Sequence, residues 1–421
     1  MTKLDICVIG QGYIGLPTAA LFAKNRCNVV GVDVKKEMIN NLNKGIVHIE
    51  EDGISEIISN AINEKKYIAK LKPSEADVFI ITVPTPYKIE NLSCDLSFVI
   101  DACNSILEFV KKGNVIIIES TMAPGSMEKI IKPIFQEKGF EIGKDLFLAH
   151  CPERVLPGKI MHELVNNNRI IGGITKNCAD KAAKVYIIFV KGQIMKTEAK
   201  TAELSKCMEN TFRDINIAIA NELTKICAEI DINVLEVIKL ANQHPRVNIL
   251  NPGPGVGGHC LAIDPYFIYS KTPETAKIIK LARDTNKSMP DFIVKYANKI
   301  VKHYSNSEKI KIAIFGISYK GNTSDTRESP SFEIISKLKE YKYDLEIYDP
   351  HIEKKEYTNI KNTLANASLC LILTDHDEFE NLDFNLLIKN MKTPIIFDTK
   401  NIIKNVPDKI KLYNLGNISK I

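Results

Sequence analysis

The sequence predicts an α/β protein in which two parallel-sheet domains are joined by a long helix. Short β-branched runs alternate with helical patterns up to about residue 196, as in parallel α/β sheets. A helical stretch without Gly or Pro follows, and the alternation resumes near residue 309. We therefore expect an N-terminal Rossmann-type parallel-sheet domain (1–196), a central long-helix domain (197–305) and a C-terminal Rossmann-like α/β domain (306–421).

The composition is that of an ordinary globular protein. A chain of 421 residues exceeds what one hydrophobic core usually supports, and the formal charge of +5, without a Lys/Arg block, indicates no nucleic-acid partner. The ten cysteines contain no CxxC pair, so neither a metal site nor a disulfide framework is indicated. The chain enters a strand pattern at once, without a signal peptide, and no apolar run reaches the roughly 20 residues that span a bilayer. We expect a cytoplasmic protein with reduced thiols and no membrane partner.

The strand candidates are short apolar runs, and helical patterns such as residues 16–25 lie between them. In the first domain they are residues 5–10, 28–33, 77–83, 114–120, 146–153 and 168–173, and in the last domain they begin at 309 and continue at 344–350, 368–375 and 394–400.

A glycine fingerprint, "GQGYIG", follows the first strand candidate and opens a helix. Gly10 permits the tight turn, Gly12 lets the backbone approach a pyrophosphate, and Gly15 allows close helix–strand packing. The next strand candidate ends at Asp33, where a carboxylate would bond the adenosine ribose hydroxyls. Because a carboxylate repels the 2′-phosphate of NADP, the pattern favours NAD, although FAD shares the fingerprint.

Threonines follow two further strand candidates of the first domain. Thr85 lies in "VPTP" and Thr121 in "ESTMAPG". Ligands of open α/β sheets bind outside the carboxyl ends of the strands, so both threonines are candidates to face the nicotinamide half of the cofactor.

The long helix carries three polar residues at helical spacing, Lys206, Asn210 and Arg213. Spacings of four and three residues put them on one face. A solvated polar stripe would have this pattern too. The apolar run "INIAIAN" directly after it indicates a buried helix, whose polar face needs a partner such as a ligand.

An irregular loop, "GPGVGGHCLAIDP", surrounds a single thiol, Cys260. Most cysteines are inert small hydrophobes. Gly257, Gly258 and the following residues allow this loop to approach a ligand closely, and Asp264 could orient the thiol or hold a water. With NAD nearby, a thiol can add to an aldehyde and give a thioester, so that an alcohol is oxidised to an acid.

These motifs together resemble the nucleotide-sugar 6-dehydrogenases, which include the UDP-glucose and UDP-N-acetylhexosamine dehydrogenases. The resemblance covers nearly the whole chain. The motifs in order are "GQGYIGLP", "VPTP", "ESTMAPG", "CPERVLPG", "AELSKCMENTFRDINIAIANE", "GPGVGGHC", "GISYKGNTSDTRESP" and "DTKN".

The family implies two oxidations of a C6 alcohol, each consuming one NAD. By resemblance, Cys260 is the nucleophile and Lys206 the general acid/base. Asn210 shares a water or the C6 oxygen with Lys206, while Glu153 and Asp264 aid water activation and thioester hydrolysis. Positions matching cofactor contacts are Gly10, Gly12, Tyr13, Ile14, Gly15, Asp33, Thr85, Thr121 and Arg327. Positions matching substrate contacts are Arg154, Val155, Lys206, Asn210, Arg213, His244, Arg246, Gly257, Tyr319 and Lys320.

The loop around the thiol also bears on the sugar. UDP-glucose dehydrogenases usually read "GFGGSCFPKD" there, whereas this chain has His259 before Cys260 and an aliphatic-Ala-aliphatic run before Asp264. That run resembles the UDP-N-acetylmannosamine dehydrogenases, while gluco-configured relatives more often carry Pro at Ala262. UDP-N-acetylglucosamine and UDP-glucose remain alternatives.

Two other classes of function share parts of this sequence pattern. A one-step β-hydroxyacid dehydrogenase also joins a Rossmann domain to a long helix, but it needs no thiol and usually lacks a second α/β unit. A non-catalytic nucleotide-sugar sensor has no use for a thiol and a lysine together. The long helix further implies pairing with its copy in another chain, so we expect at least a homodimer.

Overall fold

The computed structural model describes residues 4–156, 158–304, 309–354, 357 and 359–421. The chain divides into two units. The first comprises the residues up to Glu209 together with Tyr266–Pro273, and the second comprises Asn210–Pro265 together with Glu274–Ile421. The division into three domains drawn from the sequence stays a prediction.

The first unit is built on an eight-stranded sheet with the order β3-β2-β1-β4-β5-β6-β7-β8. Neighbouring strands are parallel except β6 and β7, which run antiparallel. The strands are β1 (Asp5–Ile9), β2 (Asn28–Val32), β3 (Tyr67–Lys70), β4 (Val78–Ile81), β5 (Val115–Ile118), β6 (Phe147–His150), β7 (Arg169–Gly173) and β8 (Ile194–Glu198).

Both faces of this sheet are covered by helices, which explains its apolar central strands. Every residue of β4 and β5 is buried. Ile117 packs into the core on one face and Ile116 into the core on the other, as the alternation of a strand requires. The helices are α1 (Gly15–Lys24), α2 (Lys36–Leu42), α3 (Ile54–Asn63), α4 (Ser97–Ile106), a π-helix (Met127–Ile131) followed by α5 (Lys132–Gln136), α6 (Ile160–Asn166) and α7 (Lys176–Tyr186).

The long helix predicted from the sequence is α8 (Ala199–Glu229), with 31 residues. It begins two residues later than the sequence pattern indicates, because Thr197 and Glu198 pair with β7 as the end of β8. Residues of both units lie on α8 and on the short α10 (Asp264–Tyr269). Among the described residues, none of the helices combines the length and hydropathy that a bilayer-spanning segment requires.

The second unit contains a five-stranded, wholly parallel sheet with the order β10-β9-β11-β12-β13. Its two faces again carry separate apolar cores, with Ile312 and Ala313 on opposite sides. The strands are β9 (Lys311–Phe315), β10 (Asp344–Tyr348), β11 (Leu369–Ile372), β12 (Ile395–Asp398) and β13 (Lys411–Asn414). The helices are α9 (Val234–Ala241), α11 (Lys277–Lys287), α12 (Met289–Tyr304), α13 (Pro330–Glu340), α14 (Ile360–Leu364), α15 (Asp377–Glu380), α16 (Phe384–Asn390) and a 3-10 turn (Ile418–Lys420).

Candidate active site

The glycine loop between β1 and α1 is shaped by close contacts that only glycine allows. Gly10 has φ +93°, and a Cβ there would lie 2.7 Å from the carbonyl oxygen of Thr82. A Cβ on Gly15 would lie 1.9 Å from the carbonyl oxygen of Gly10. At Gly12, by contrast, a Cβ would meet no atom within 4 Å, so the backbone faces open space there. These are the turn, the close packing and the open approach that a pyrophosphate requires.

Asp33 stands beside this loop with a fixed orientation. Its Oδ2 accepts a hydrogen bond from the backbone N–H of Gln11 at 3.0 Å, and its Oδ1 accepts one from Lys35 N–H at 3.0 Å. No side chain caps the first turn of α1, and the N–H of Leu16 donates to the carbonyl oxygen of Gly12 in the loop. The loop, the uncapped helix and the carboxylate fit the pyrophosphate and ribose of NAD. Tyr13 is exposed and Ile14 half-buried in the same loop.

The threonine loops follow β4 and β5, which are neighbours in the sheet. Thr85 and Thr121 are both half-buried. Ser120 Oγ donates to the carbonyl oxygen of Val83 at 2.7 Å and ties the two loops together. Glu203 of α8 accepts hydrogen bonds from the N–H groups of Gly125 (2.5 Å) and Met127 (2.7 Å), which holds the far end of the second loop.

The polar residues of α8 differ in exposure. Lys206 is 9% exposed and Asn210 is 7% exposed, as expected for a buried polar face. Arg213, predicted on the same face, is exposed. Burial, together with the charge of Lys206, lowers the pKa of His150 to about 4, so this histidine at the end of β6 is neutral at pH 7.

The residues after β6 are held by ion pairs. Glu153 Oε1 accepts from the N–H of Arg154 at 2.6 Å, and its Oε2 accepts from Nη2 of Arg169 at 3.1 Å. Arg154 donates to Glu209 at 2.6 Å and to the carbonyl oxygen of Asn168. The neighbouring Val155 packs against the core of the first unit.

The thiol loop of the second unit packs against the loop between β9 and α13. Gly258 has φ +81°, and a Cβ on it would lie 2.8 Å from Cε2 of Tyr319. Its N–H donates to the carbonyl oxygen of Arg327 at 3.0 Å. At Gly257 a Cβ would lie 2.6 Å from the carbonyl oxygen of Glu328. The glycines of "GVGGHC" are therefore required for this close approach, which fixes the backbone directly before Cys260.

Cys260 is partly exposed and begins the turn that leads into α10. Its carbonyl oxygen accepts the N–H of Asp264 at 2.9 Å. The carboxylate of Asp264 accepts from Nδ2 of Asn210 at 2.6 Å, and both side chains are buried. Three of the residues predicted to act in catalysis are thus joined within the second unit.

The facing loop, residues 318–329, carries Tyr319, Lys320 and Arg327. Arg327 makes a forked ion pair with Asp325, with Nε at 2.9 Å and Nη2 at 2.6 Å. Burial raises the pKa of Asp325, but the hydrogen bonds from Arg327 outweigh it and the pKa is lowered. Burial raises the pKa of Tyr319, and the nearby Asp325 and Cys260 add to the shift. Lys320 is exposed.

Two further residues predicted to bind substrate, His244 and Arg246, lie in another part of the second unit's chain, after α9. His244 and Arg246 are exposed in the turn after α9, where the N–H of Arg246 donates to Nδ1 of His244 at 3.3 Å. The structure gives them a shared turn but no hydrogen bond among the described residues to the thiol loop.

A buried polar network at the start of the thiol loop was missed from the sequence. Asn221 accepts from the N–H of Gly253 at 2.9 Å and donates to Asn286 at 2.8 Å. Asn286 donates in turn to Asp214, which pairs with Arg283 at 2.5 Å. Arg283 and Asn286 in "RDTNK" of α11 were the available signal, but their partners lie 65 to 72 residues away.

One group of side chains in the described part of the chain could in principle hold a metal ion: His351, His376 and Glu378. Nδ1 of His376 accepts the N–H of Asn322 at 2.9 Å, and its Nε2 lies 3.2 Å from Ser318 Oγ. Because both ring nitrogens are engaged with the 318–329 loop, we interpret His376 as a support for that loop.

The fold and the glycine loop define an NAD-binding α/β dehydrogenase with a thiol in its second unit. Three family models match the chain: the NAD binding domain of the UDP-glucose/GDP-mannose dehydrogenase family at residues 4–190, its central domain at 200–288 and its UDP binding domain at 313–405. The chain belongs to the UDP-glucose/GDP-mannose dehydrogenase family, and NAD is its cofactor.

Relatives and solved structures resemble the chain over nearly its whole length. A UDP-N-acetyl-D-mannosamine dehydrogenase of Methanococcus vannielii is 48% identical, and the match covers 98% of this chain and 97% of the relative. The UDP-N-acetyl-mannosamine dehydrogenase structure from S. aureus has a TM-score of 0.92 and 49% identity, with 99% of each chain covered. The UDP-D-ManNAc dehydrogenase structure from Pyrococcus horikoshii has a TM-score of 0.93 and 39% identity, covering 99% of this chain and 100% of the other.

Proposed function

We propose that the chain oxidises the C6 alcohol of UDP-N-acetyl-D-mannosamine to the carboxylate in two NAD-dependent steps. The names of relatives that match almost the whole chain support this substrate. The observation that carries the chemistry is the partly exposed Cys260, held in a glycine-rich loop that is one turn from the buried Asn210–Asp264 pair. UDP-N-acetylglucosamine and UDP-glucose are the alternative substrates.

In the first oxidation Lys206 takes the proton of the C6 hydroxyl and the C6 carbon loses a hydride, which leaves an aldehyde. NAD, when bound, accepts one hydride in each oxidation. Lys206 and Asn210 are four residues apart on α8, so their side chains project from the same side of the helix. Asn210 supports the C6 oxygen through its amide, while its bond to Asp264 fixes the orientation of that amide.

In the second oxidation the thiolate of Cys260 adds to the aldehyde carbon, and the carbonyl oxygen takes a proton from Lys206. The hydroxyl proton of the thiohemiacetal returns to Lys206 while the C6 carbon loses its second hydride, and a thioester results. Water attacks the thioester carbon, the C–S bond breaks, and the carboxylate and the thiol are released. Glu153 and Asp264 are the carboxylates proposed to accept the proton of that water.

The remaining site residues bind rather than react. The glycine loop and Asp33 hold the pyrophosphate and ribose of NAD, and Thr85, Thr121 and Arg327 complete the cofactor site. The nucleotide sugar is held by two groups of residues. The first group is Arg154, Val155, Arg213, His244 and Arg246. The second group is Gly257 of the thiol loop with Tyr319 and Lys320 of the loop that faces it.

The test combines substrate choice with thiol protection. Eight of the ten cysteines are buried, and Cys94 and Cys260 are partly exposed, so Cys94→Ser is a matched control for Cys260→Ser. We expect NADH from UDP-N-acetyl-D-mannosamine, abolished by Cys260→Ser and retained by Cys94→Ser. Alkylation of Cys260 should be slowed by NAD with substrate. NADH formation that survives Cys260→Ser through to the acid would contradict the mechanism. Nucleotide-sugar binding without any NADH would favour a sensor, and NADH from UDP-glucose alone would refute the substrate.

We further propose that α8 pairs with its copy in a second chain. One side of the helix exposes a run of large apolar side chains at intervals of four and seven residues, which is typical of a helix-packing face. These residues are Leu204, Met208, Phe212, Ile219 and Ile226, and the exposed Ile230 follows directly after the helix. Phe212 is 64% exposed, so Phe212→Glu should convert a dimer to a monomer in light scattering. A 47 kDa species for the unaltered chain at micromolar concentration would contradict the pairing.

A further inference from the structure

A second carboxylate of the first unit, Glu119, shares a hydrogen-bond donor with Glu153. It follows β5 directly and is 2% exposed. Its Oε1 accepts hydrogen bonds from Tyr186 OH at 2.5 Å and from Nη2 of Arg169 at 2.6 Å. Its Oε2 accepts from Thr18 of α1 at 3.3 Å. Side chains from α1, β7 and α7 therefore converge on one buried carboxylate.

One nitrogen of Arg169 serves two carboxylates. Nη2 donates to Glu119 at 2.6 Å and to Glu153 at 3.1 Å. Arg169 is 5% exposed. Its guanidinium lies 4.1 Å from the ring centroid of Tyr186 and donates from Nε to the sulfur of Cys151 at 3.0 Å. Burial raises the pKa of Cys151 to about 11, so that thiol adds no negative charge at pH 7.

The charges of this cluster do not balance when both carboxylates are ionised. Two negative charges then face the single positive charge of Arg169, and both Glu119 and Arg169 are buried. Burial raises the pKa of Glu119 to about 7; Arg169 opposes this shift, and the charge of Glu153 adds to it. The proton of Glu119 is therefore the one exchanged near neutral pH.

We propose that Glu119 is a positioning residue that competes with Glu153 for the guanidinium of Arg169, so that the charge of Glu119 sets how readily Glu153 accepts a proton from the hydrolytic water. This inference rests on the proposed function, in which Glu153 faces that water. Glu119 itself is enclosed by Thr18, Arg169 and Tyr186 and acts only through Arg169.

The consequence depends on pH. Below about pH 7 Glu119 is protonated, and Arg169 attracts Glu153 with its full charge. A carboxylate held in this way is a weaker proton acceptor. Above about pH 7 Glu119 is ionised and neutralises Arg169, so Glu153 is released to act as a base. Thioester hydrolysis should therefore accelerate as Glu119 ionises.

The kinetic test compares Glu119→Gln with Glu163→Gln. Glu163 accepts the N–H of Leu156 in the loop after Glu153 and has no hydrogen bond to Arg169, so its replacement is a matched loss of charge. The unaltered enzyme and Glu163→Gln should show a rise in kcat near pH 7. Glu119→Gln should lack that rise and remain roughly tenfold or more slower at pH 8. A Glu119→Gln profile that keeps the rise would overturn the proposal.

A second readout does not depend on activity. Infrared titration of the unaltered protein should show a buried carboxyl band that disappears as the pH rises through about 7 and is missing in Glu119→Gln. In Glu153→Gln the midpoint of that band should move to lower pH, because a like charge has been removed. If the midpoint of the carboxyl band is the same in Glu153→Gln as in the unaltered protein, the proposed coupling of Glu119 to Glu153 is wrong, whatever the substrate of the enzyme. Absence of NADH with every nucleotide sugar, together with the expected infrared shifts, would refute the proposed function alone.

Discussion

Asn210 donates a hydrogen bond of 2.6 Å from Nδ2 to Oδ2 of Asp264, and both side chains are buried. The bond joins α8 to the first residue of α10. Because the N–H of Asp264 also donates to the carbonyl oxygen of Cys260, the thiol is anchored to the long helix through one turn of backbone. The position of the proposed nucleophile therefore depends on a pair of polar residues 54 positions apart.

This pair predicts a measurable coupling. Asn210→Ala removes a donor from a buried carboxylate and should lower the free energy of unfolding by about 1–3 kcal/mol. Asp264→Ala should have a similar effect, and the double variant should cost less than the sum of the two. Denaturant unfolding of the four proteins measures the coupling. Strictly additive effects would show that the bond contributes nothing to stability.

The glycines of the thiol loop predict a contrast between two substitutions. Gly258→Ala places a side chain at φ +81° and within 2.8 Å of Tyr319, so it should cost about 1–3 kcal/mol and change the alkylation rate of Cys260. In Gly253→Ala the nearest atom to the new Cβ is Cδ of Lys400 at 3.9 Å, an ordinary contact. In Gly253→Ala the alkylation rate of Cys260 should therefore be unchanged. The alkylation rate of Cys94 should be unchanged in both variants. Equal alkylation of Cys260 in the two variants would contradict the account.

Glu203 predicts a pH-dependent stability. Burial raises the pKa of Glu203 to about 7 from an ordinary value of 4.5, although hydrogen bonds from Met127 and Gly125 oppose the shift. The native state binds the proton of Glu203 more tightly than the unfolded state does. The stability that this proton contributes is therefore fully present below pH 4.5 and is lost as the pH rises through about 7. Between pH 4.5 and 8 the free energy of unfolding of Glu203→Gln should rise by about 3 kcal/mol relative to that of the unaltered protein. An unfolding difference that stays constant with pH would refute this.

The buried ion pair of Arg283 with Asp214 predicts that removing one partner destabilises the protein more than replacing both. Arg283→Met leaves the carboxylate in place without its cation and should cost about 3–5 kcal/mol. Combining it with Asp214→Asn should recover much of that loss, because the amide still accepts from Asn286. Chemical unfolding of the single and double variants checks this, and a double variant less stable than Arg283→Met would contradict it.

Of the four strands at sheet edges, the sequence predicts β10 and misses the other three. Each run rich in Ile and Val, such as that of β5, is recognisable because it is buried on both faces. The three strands missed, β3, β8 and β13, all lie at a sheet edge. They are half-exposed and short, so their apolar residues form no continuous run.

The site shows the same limit. The glycine loop, Asp33 and the thiol loop are local sequence patterns, and the contacts of Gly10, Gly15 and Gly258 explain why glycine is needed there. Glu119 and Arg169 escape prediction because their contacts join residues from 16 to 101 positions apart. A charged residue at the end of the wholly apolar β5 was the only local sign of that cluster.

The central claim is that one active site takes an alcohol to an acid through the thiol of Cys260. The most direct test is the number of NADH molecules formed for each UDP-N-acetyl-D-mannosamine consumed, measured with purified protein under reducing conditions. The account predicts two NADH and the uronic acid as product. One NADH, with the aldehyde as the final product, would contradict the role assigned to Cys260.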